Sequence, residues 1–283
     1  MYTFEERYNF YTNNLFNNKT SLNFNISKNY LNRYQNSPYL YEVNDINFNK
    51  DTKKYIVEIL NDGYNNPGFP CFHKAKLANE NNFAILSLKT YYYRHWNLKN
   101  KDKHEWNDKI PDIFWRGATT GYNHAINRYT FMQMYFNKYN IGFINTFYWN
   151  HEKVKNYVKK SVDYDEYTKY KYLISIEGND KDSGLNWKLN SNSLVIMRKP
   201  FIISWLMESK LEPYVHYVPL KDDFSDLDEI YQWCLDNDDK CKEIVKNANK
   251  FMDNFKDIEL ENKLENTIYK DYLKYVNFKL LDN

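Results

Sequence analysis

Glycine is scarce in this chain, seven residues in 283 against 28 tyrosines. With its load of Asn, Lys and Ile, this is the composition an AT-rich coding sequence gives, so a cluster of Tyr or Asn is by itself no sign of function. No Gly-x-Gly-x-x-Gly loop and no Gly-Lys-Ser/Thr phosphate loop occurs, which argues against nicotinamide dehydrogenases and P-loop kinases. The three cysteines, Cys71, Cys234 and Cys241, are an odd number without Cys-x-x-Cys spacing. A disulfide framework or structural zinc site is therefore not expected, and Cys234 and Cys241 read as core residues on one helix face. No apolar run reaches 18 residues, which argues against a membrane-spanning helix. Neither charge sign dominates: 39 basic residues face 37 acidic ones, so nucleic acid and anionic lipid are not expected as general partners. The six histidines show no His-Glu-x-x-His spacing, no Gly-x-Ser-x-Gly elbow supports a hydrolase, and no strand-flanked Asp-x-Asp appears. Asp180-Lys181-Asp182 has the letters of the last, but it stands at a helix entrance beside Lys, so no metal is expected.

What is present is ample core material, 42% hydrophobic and 19% aromatic, despite a mean hydropathy of −0.84. The length suits two medium domains. The opening MYTFEERYNFYTNN has acidic residues at once and no apolar run, so a cytoplasmic protein is expected, and the compact length and AT-rich composition point to a microbial or viral source. The first fifty residues read as short helices and loops. From Tyr55, YIVEIL is a buried strand emptying into the turn Asn61-Asp62-Gly63. That places Asp62 at a strand's C-terminal edge, where open α/β sheets bind ligands. The apolar run Phe83 to Leu88 and the aromatic YYYRHW follow. The polar stretch KNKDKHEWNDK, ending at Pro111, reads as an interdomain linker.

A regular alternation begins there. DIFWRG reads as strand, His124 to Tyr139 as helix, GFINTFYW and YKYLISIEG as strands, and Ser183 to Asn190 as helix. SLVIM reads as strand, Ile203 to Lys210 as helix and VHYVPL as strand. This βαβ rhythm implies a largely parallel sheet in an α/β fold. Two helices, Asp226 to Leu235 with Ser225 as N-cap and Asp238 to Phe255, follow. A last helix, near Glu261 to Phe278, packs back across the molecule.

Three constellations can carry chemistry. In the first, Arg116, Gly117, Ala118, Thr119, Thr120 and Gly121 end a strand, with Arg128 on the following helix. Two guanidiniums at strand and helix ends suit a diphosphate through bidentate charge-assisted bonds. A buried structural arginine and a solvated one are the alternative. In the second, the strand-to-helix turn from Glu177 through Gly178, Asn179, Ser183, Gly184 and Leu185 to Lys188 offers backbone N–H groups and a positive helix end to an anion, or is an ordinary capped helix. In the third, Glu208, read on a helix facing a crevice, binds sugar or ribose hydroxyls or merely solvent, and His216 reads as a core histidine.

In order, FWRGATTG with Arg128, KYKYLISIEGNDKDSGLNWKLNSNSLVIM, SWLMESKLEPYVHYVPLKDDFSDLDE and WCLDNDDKCKEIVKNANKF resemble glycosyltransferase family 90. This is the family of capsule-associated, lipopolysaccharide-modifying and protein O-glucosyltransferase-like enzymes. The resemblance covers about Pro111 to Phe251, and the first hundred residues match more loosely. It implies a GT-B fold of two Rossmann-like domains facing a central cleft, with residues 1–110 on the acceptor side, 111–260 binding the nucleotide sugar, and 261–283 crossing back onto the N-terminal domain. It implies an inverting, metal-independent transferase with no cofactor, moving glucose, xylose or a similar sugar from a UDP-sugar to a hydroxyl of a glycan, glycolipid or protein.

Carried onto this chain, the resemblance makes Arg116 and Arg128 holders of the donor diphosphate and Gly178 to Lys188 the segment approaching the donor. Animal members have Phe-Arg where this chain has Ser183-Gly184-Leu185. Lys188 or the helix dipole is then left to replace that charge, and the donated sugar stays open. Asp62 falls where the family has its catalytic aspartate. Inversion needs one base to take the acceptor proton, and an ordinary Asp pKa near 4 keeps it ionised at neutral pH. The alternative for Asp62 is a turn-shaping role. The alternatives for the whole chain are a carbohydrate- or nucleotide-sugar-binding protein of the same fold without catalysis, and a GT-B transferase acting on a small molecule or lipid.

Overall fold

The computed structural model describes residues 1–27, 40–43, 54–59, 68–79, 83–88, 101–121, 123–147 and 151–281. Two compact units emerge, one of Met1–Tyr92 with Asp257–Asn283 and one of Tyr93–Lys256.

The first unit begins with α1 (Phe4–Tyr11), which starts where Thr3 and Glu6 close a reciprocal capping box and so satisfy backbone donors the helix leaves open. β1 (Leu22–Ser27) pairs in parallel with the chain's last strand, Val276–Leu281. β2 (Leu40–Val43), β3 (Lys54–Ile59), β4 (Cys71–His73) and β6 (Ala84–Leu86) form a sheet in the order β2-β3-β4-β6, with β5 (Ala75–Leu77) following β4. Only the β2–β3 pair is antiparallel. The expected strands at Tyr55 and Phe83 are thus present, while Asn61-Asp62-Gly63 and the run YYYRHW lie outside the described residues.

The C-terminal helix spans Ile258–Tyr275, three residues earlier than expected at each end, because Asp257 caps it by accepting from Leu260 N. It belongs to this first unit. Tyr269 stacks on Phe72 at 4.4 Å, Tyr272 donates its hydroxyl to Pro70 O at 2.9 Å, and Glu261 pairs with Arg7 with both side chains fully buried.

Beside this packing, His73 is buried with Nε2 2.8 Å from Cys71 Sγ. Burial, helped by the Lys76 charge, pushes its pKa down to about 4. The unfolded chain therefore takes up a proton near pH 6.5 that the folded chain refuses until about 4. The neutral imidazole contributes stability above 6.5 that is lost as pH falls toward 4, about 3 kcal/mol in all. We expect His73→Gln to flatten the fall of unfolding free energy between pH 6.5 and 4 in denaturant titrations. An unchanged slope would show that His73 protonates freely in the fold.

The second unit is built on one parallel sheet. β7 (Ile110–Gly117), β8 (Asn140–Phe143), β9 (Tyr170–Ser175), β10 (Leu194–Arg198) and β12 (Val218–Leu220) lie in the order β12-β10-β9-β7-β8, every neighbouring pair parallel. α2 (Arg128–Tyr135), α3 (His151–Val154), α4 (Tyr164–Thr168), α5 (Leu185–Leu189), α6 (Leu227–Asp236) and α7 (Asp238–Met252) cover it. Alternate side chains of β7 bury on opposite faces. Ile113 and Trp115 enter a large cluster with Phe131, Met132, Ile141 and Phe143, while Phe114 packs with Tyr170, Leu173, Tyr167 and Trp187. Near-continuous apolar strands such as β10, buried at every position, are what a sheet covered on both faces demands.

Several sequence expectations change here, each for a local reason. The helix expected from His124 starts at Arg128 because Asn127 caps it, accepting from Tyr129 N and Thr130 N. The strand expected over GFINTFYW is confined to Asn140–Phe143. Ile203 to Lys210 is not a helix but strand β11 (Ile202–Ser204) followed by a single 3₁₀ turn, Glu208–Lys210. The Glu208 carboxylate accepts from Ser204 N and Ser204 Oγ, both at 2.6 Å, and Met207 takes a φ of +57°. Both features compete with an α-helical path.

Asp226, not Ser225, stands at the N-cap position of α6, its carboxylate accepting from Lys221 N and making no side-chain bond to the helix, and Ser225 N is drawn to Asp223 Oδ1. Cys234 and Cys241 fall on two helices parted at Asn237, both buried as free thiols. The described part of the stretch read as a linker is built into this unit. Asp102 accepts from Lys109 Nζ and Asn192 N, each at 2.8 Å, and Trp106 is buried with Nε1 donating to Asp238. The partners that bind this charged run into the unit, Asn192 for Asp102 and Asp238 for Trp106, lie ninety or more residues away. Among the described residues, no helix is long and apolar enough to cross a membrane.

Candidate functional site

In chain order the five parallel strands sit 5-4-3-1-2, so the winding reverses between β7 and β9. At such a reversal the two following loops diverge to opposite faces, and a crevice opens beyond the strands' carboxyl ends. The loops that meet there are Ala118–Gly121 after β7 and Ile176–Asp180 after β9, the first and second constellations of the sequence.

Arg128, the first residue of α2, ties them. Its Nε and Nη2 donate to Ile176 O at 3.2 and 2.7 Å, and Nη1 donates to Ala118 O at 3.1 Å and Thr120 Oγ1 at 2.7 Å. Its guanidinium lies 5.5 Å from the Trp115 ring centroid. Burial lowers its pKa, and Asp182 and Glu177 act against that shift. Among the described residues no carboxylate makes a direct ion pair with it, so a buried positive charge stands at the ends of these strands on neutral acceptors. An arginine in that position remains protonated.

The glycines are explained by this closeness. Gly121 has a φ of +86°, and a Cβ there would lie 2.9 Å from Gly178 O. Its N–H donates to Asn179 Oδ1 at 2.9 Å, and His124 Nε2 sits 2.9 Å from Gly178 O. A Cβ on Gly178 would come within 2.5 Å of Thr120 Oγ1 and 3.3 Å of Arg128 Cζ. We therefore expect Gly178→Ala to push Thr120 off Arg128, at about 1–3 kcal/mol of stability. A denaturation midpoint equal to the native one would show that the loop yields freely. Thr119 donates from N and Oγ1 to Asn145 Oδ1 beyond β8, extending the rim.

Beneath the second loop, Asp182 accepts from Lys188 Nζ at 2.6 Å, Ser175 Oγ at 2.7 Å and Gly184 N at 2.9 Å. Burial pushes its carboxyl up, but Lys188, then Arg128, and the bonds from Lys188 and Ser175 outweigh this and hold it at about 2. Lys188 also donates to Ile174 O at 2.9 Å. Arg198 pairs with Glu177 at 3.1 Å and donates to Asp222 O.

The structure thus gathers Gly117, Thr119, Arg128, Gly178, Asn179, Ser183 and Gly184 around the two loops, with Ser183 exposed and Asn179 and Gly184 half-buried at the rim. Leu185 and Lys188 lie below it, buried. Arg116 goes elsewhere. Its guanidinium sits over the Phe114 ring at 4.4 Å and donates to Trp115 O, Asn140 O and Asn140 Oδ1 at 2.7–2.8 Å. The two arginines read together in the sequence therefore attend different faces of β7. Glu208 is 1% exposed, bound to Ser204 and 3.7 Å from Lys181 Nζ, a partner inside the fold rather than one facing a crevice. Asp62 lies outside the described residues.

The sequence places Thr120 in the first constellation without giving it a role; it does not single out His124 and Asn145, whose polar side chains also hold the loops, and it offers Asp182 only as half of a metal motif. Among the described residues, no group of His, Cys, Asp and Glu is arranged to hold a metal ion. The available signal for Asp182 was the Asp-x-Gly turn with a lysine six residues on, a spacing that closes an ion pair across the first turn of α5.

The family model for glycosyl transferase family 90 matches residues 84–279. The O-glucosyltransferase LpsA of Dichelobacter nodosus is 32% identical over 192 residues, 67% of this chain and 57% of that protein. Protein O-glucosyltransferase 2 of Danio rerio is 29% identical over 147 residues, 52% of this chain and 29% of that protein. The uncharacterized protein 179R of Invertebrate iridescent virus 6 is 43% identical over 93 residues, 31% of this chain and 8% of that protein. The chain therefore spans between about a tenth and three fifths of the length of these relatives.

Proposed function

Because the chain belongs to glycosyl transferase family 90, we propose that it moves a sugar, glucose, xylose or a similar one, from a UDP-sugar to a hydroxyl of a glycan, glycolipid or protein. The reaction inverts the anomeric centre and uses no metal. The organisation is GT-B, with the donor on the unit that carries the parallel sheet and the acceptor served by the first unit. The observation that carries this reading is the switch point of the parallel sheet, where Arg128 fixes two glycine-containing loops and, among the described residues, brings them a positive charge bound to neutral acceptors.

In the proposed reaction the acceptor oxygen attacks the anomeric carbon from the face opposite the nucleotide, its proton passes to a carboxylate base, and the bond to the diphosphate breaks. Negative charge develops on the leaving diphosphate, where a preorganised guanidinium and backbone N–H groups stabilise it with little reorganisation. The base is Asp62, assigned from the family resemblance, and a carboxylate of ordinary pKa is ionised for that task at neutral pH.

The test is release of nucleoside diphosphate from a panel of nucleotide sugars with candidate glycan and peptide acceptors, in EDTA. We expect one UDP-sugar to turn over, and Asp62→Asn to slow it by about 100-fold or more with an unchanged melting temperature. Loss of turnover in EDTA, restored by a divalent ion, would remove metal independence. An inert panel would remove the transferase reading.

A further inference from the structure

The first unit carries a cleft that the switch-point site does not use. It has a volume of about 490 Å³ and runs between α1, the turn after it, and the C-terminal helix, within the ~300–1,000 Å³ range of ligand clefts. Its apolar wall is aromatic. Phe16 and Tyr275 are buried with their rings stacked 6.0 Å apart, and Tyr8 adjoins them. Its polar wall is mixed. Glu5 and Asp271 oppose Lys19 and Lys274, so the formal charges cancel, and Asn9 and Asn17 add two amides. Tyr8 donates its hydroxyl to Asp271 Oδ2 at 2.5 Å, which sets that carboxylate in place with Oδ1 left as an acceptor.

The turn that closes the cleft is strained. Asn13, Asn14 and Lys19 all have φ between +51° and +59°, a region that costs a residue with a Cβ. The path is held by Asn17 Nδ2 donating to Asn14 Oδ1 and by Lys19 N donating to Phe16 O. Its effect is to seat the Phe16 ring on Tyr275 while Asn17 and Lys19 stand exposed beside it. Strain of this kind persists where surrounding structure fixes it and gathers at ligand clamps.

The chemistry of the lining selects its ligand. An anion would meet Glu5 and Asp271. A purely apolar ligand would desolvate four charges and two amides without replacing their hydrogen bonds. A neutral polyol satisfies both walls, since each hydroxyl both donates and accepts against amides, carboxylates and ammonium groups, while its C–H groups meet the small apolar area that Tyr8, Phe16 and Tyr275 leave at the cleft wall. We propose that this cleft is a saccharide-binding site for a short neutral glycan, built from residues distinct from those of the switch-point crevice. The proposal does not depend on transfer activity and would stand if no nucleotide sugar turned over.

The full chain would be titrated, by saturation-transfer NMR and calorimetry, with glucose, xylose, galactose, mannose, maltotriose and cellotriose, and with glucuronate as the charged control. At least one neutral saccharide is expected to bind, with glucuronate weaker. Asn17→Ala and Lys274→Ala, both at exposed positions, are expected to weaken binding by about fivefold each; Lys274→Ala, which breaks no bond of the turn, is expected to do so without moving the melting temperature, and neither variant to change acceptor-free release of nucleoside diphosphate. Absence of binding by every neutral saccharide would overturn the proposal. So would binding that both variants leave unchanged, or binding lost in Arg128→Ala but kept in both cleft variants.

Discussion

Replacing Arg128 by alanine is expected to lower the unfolding free energy by about 3–5 kcal/mol and to slow release of nucleoside diphosphate by about 100-fold or more. The side chain is buried and makes four hydrogen bonds, to two backbone carbonyls and a hydroxyl. Removing it leaves Ile176 O and Ala118 O without these donors in a region water does not readily reach, and opens a void beside Trp115. It also takes away a positive charge that no carboxylate among the described residues pairs with directly.

Arg128→Lys separates the two effects. Lysine keeps the charge but lacks the planar fork that spans both loops, so it should recover part of the stability and little of the activity. Denaturant titration and product release on the three proteins measure this. Native-like activity in Arg128→Ala would take the residue out of the site, and native-like stability would show that the loops hold without it.

Asp182→Asn should be as severe for stability, again about 3–5 kcal/mol, because it leaves the Lys188 ammonium buried without its counter-charge. The amide keeps its one carbonyl oxygen for Gly184 N, while the NH2 that replaces Oδ2 can only donate to Ser175 Oγ and meets the Lys188 ammonium, so the loss reports the missing counter-charge together with that reversed contact. Pairing it with Lys188→Met removes both charges and should recover much of the loss. The pH dependence carries the same information. The folded carboxyl sits at about 2 against 3.8 for the ordinary group. Its contribution, about 2 kcal/mol, is therefore complete above pH 4 and lost as pH falls through 2. Native protein should lose stability across that acid window, and the double variant should lose less. Equal acid slopes would mean that Asp182 is not the group titrating.

The contrast between the two arginines shows how much of the site was legible. Both stood in the right kind of place, at the end of a strand and the start of a helix, and the residue pattern alone drew them toward one ligand. Which face of β7 each attends depends on Asn140, twenty-four residues from Arg116, and on Ile176, forty-eight from Arg128. Those partners are brought near by the sheet order, which no local window contains. Lys188 and Glu208 were read as ligand contacts for the same reason. Asp182 stands six residues from Lys188 and Lys181 twenty-seven from Glu208, and that both pairs would be buried was not written in the spacing.

The alternation of apolar strands with helices from Ile110 to Met252 and the glycines of the two loops were settled by the sequence alone, since each rests on periodicity or on backbone freedom within a few residues. The tertiary structure decided three things. It broke the segment Ile203 to Lys210 away from helix through the Glu208–Ser204 bonds, drew residues 101–109 out of a linker and into the second unit through Asp102 and Trp106, and placed the C-terminal helix in the first unit through Glu261, Tyr269 and Tyr272. Each depends on a buried polar or aromatic group finding a partner. Such pairing is settled by which surfaces meet when the chain collapses, not by the order in which residues follow one another.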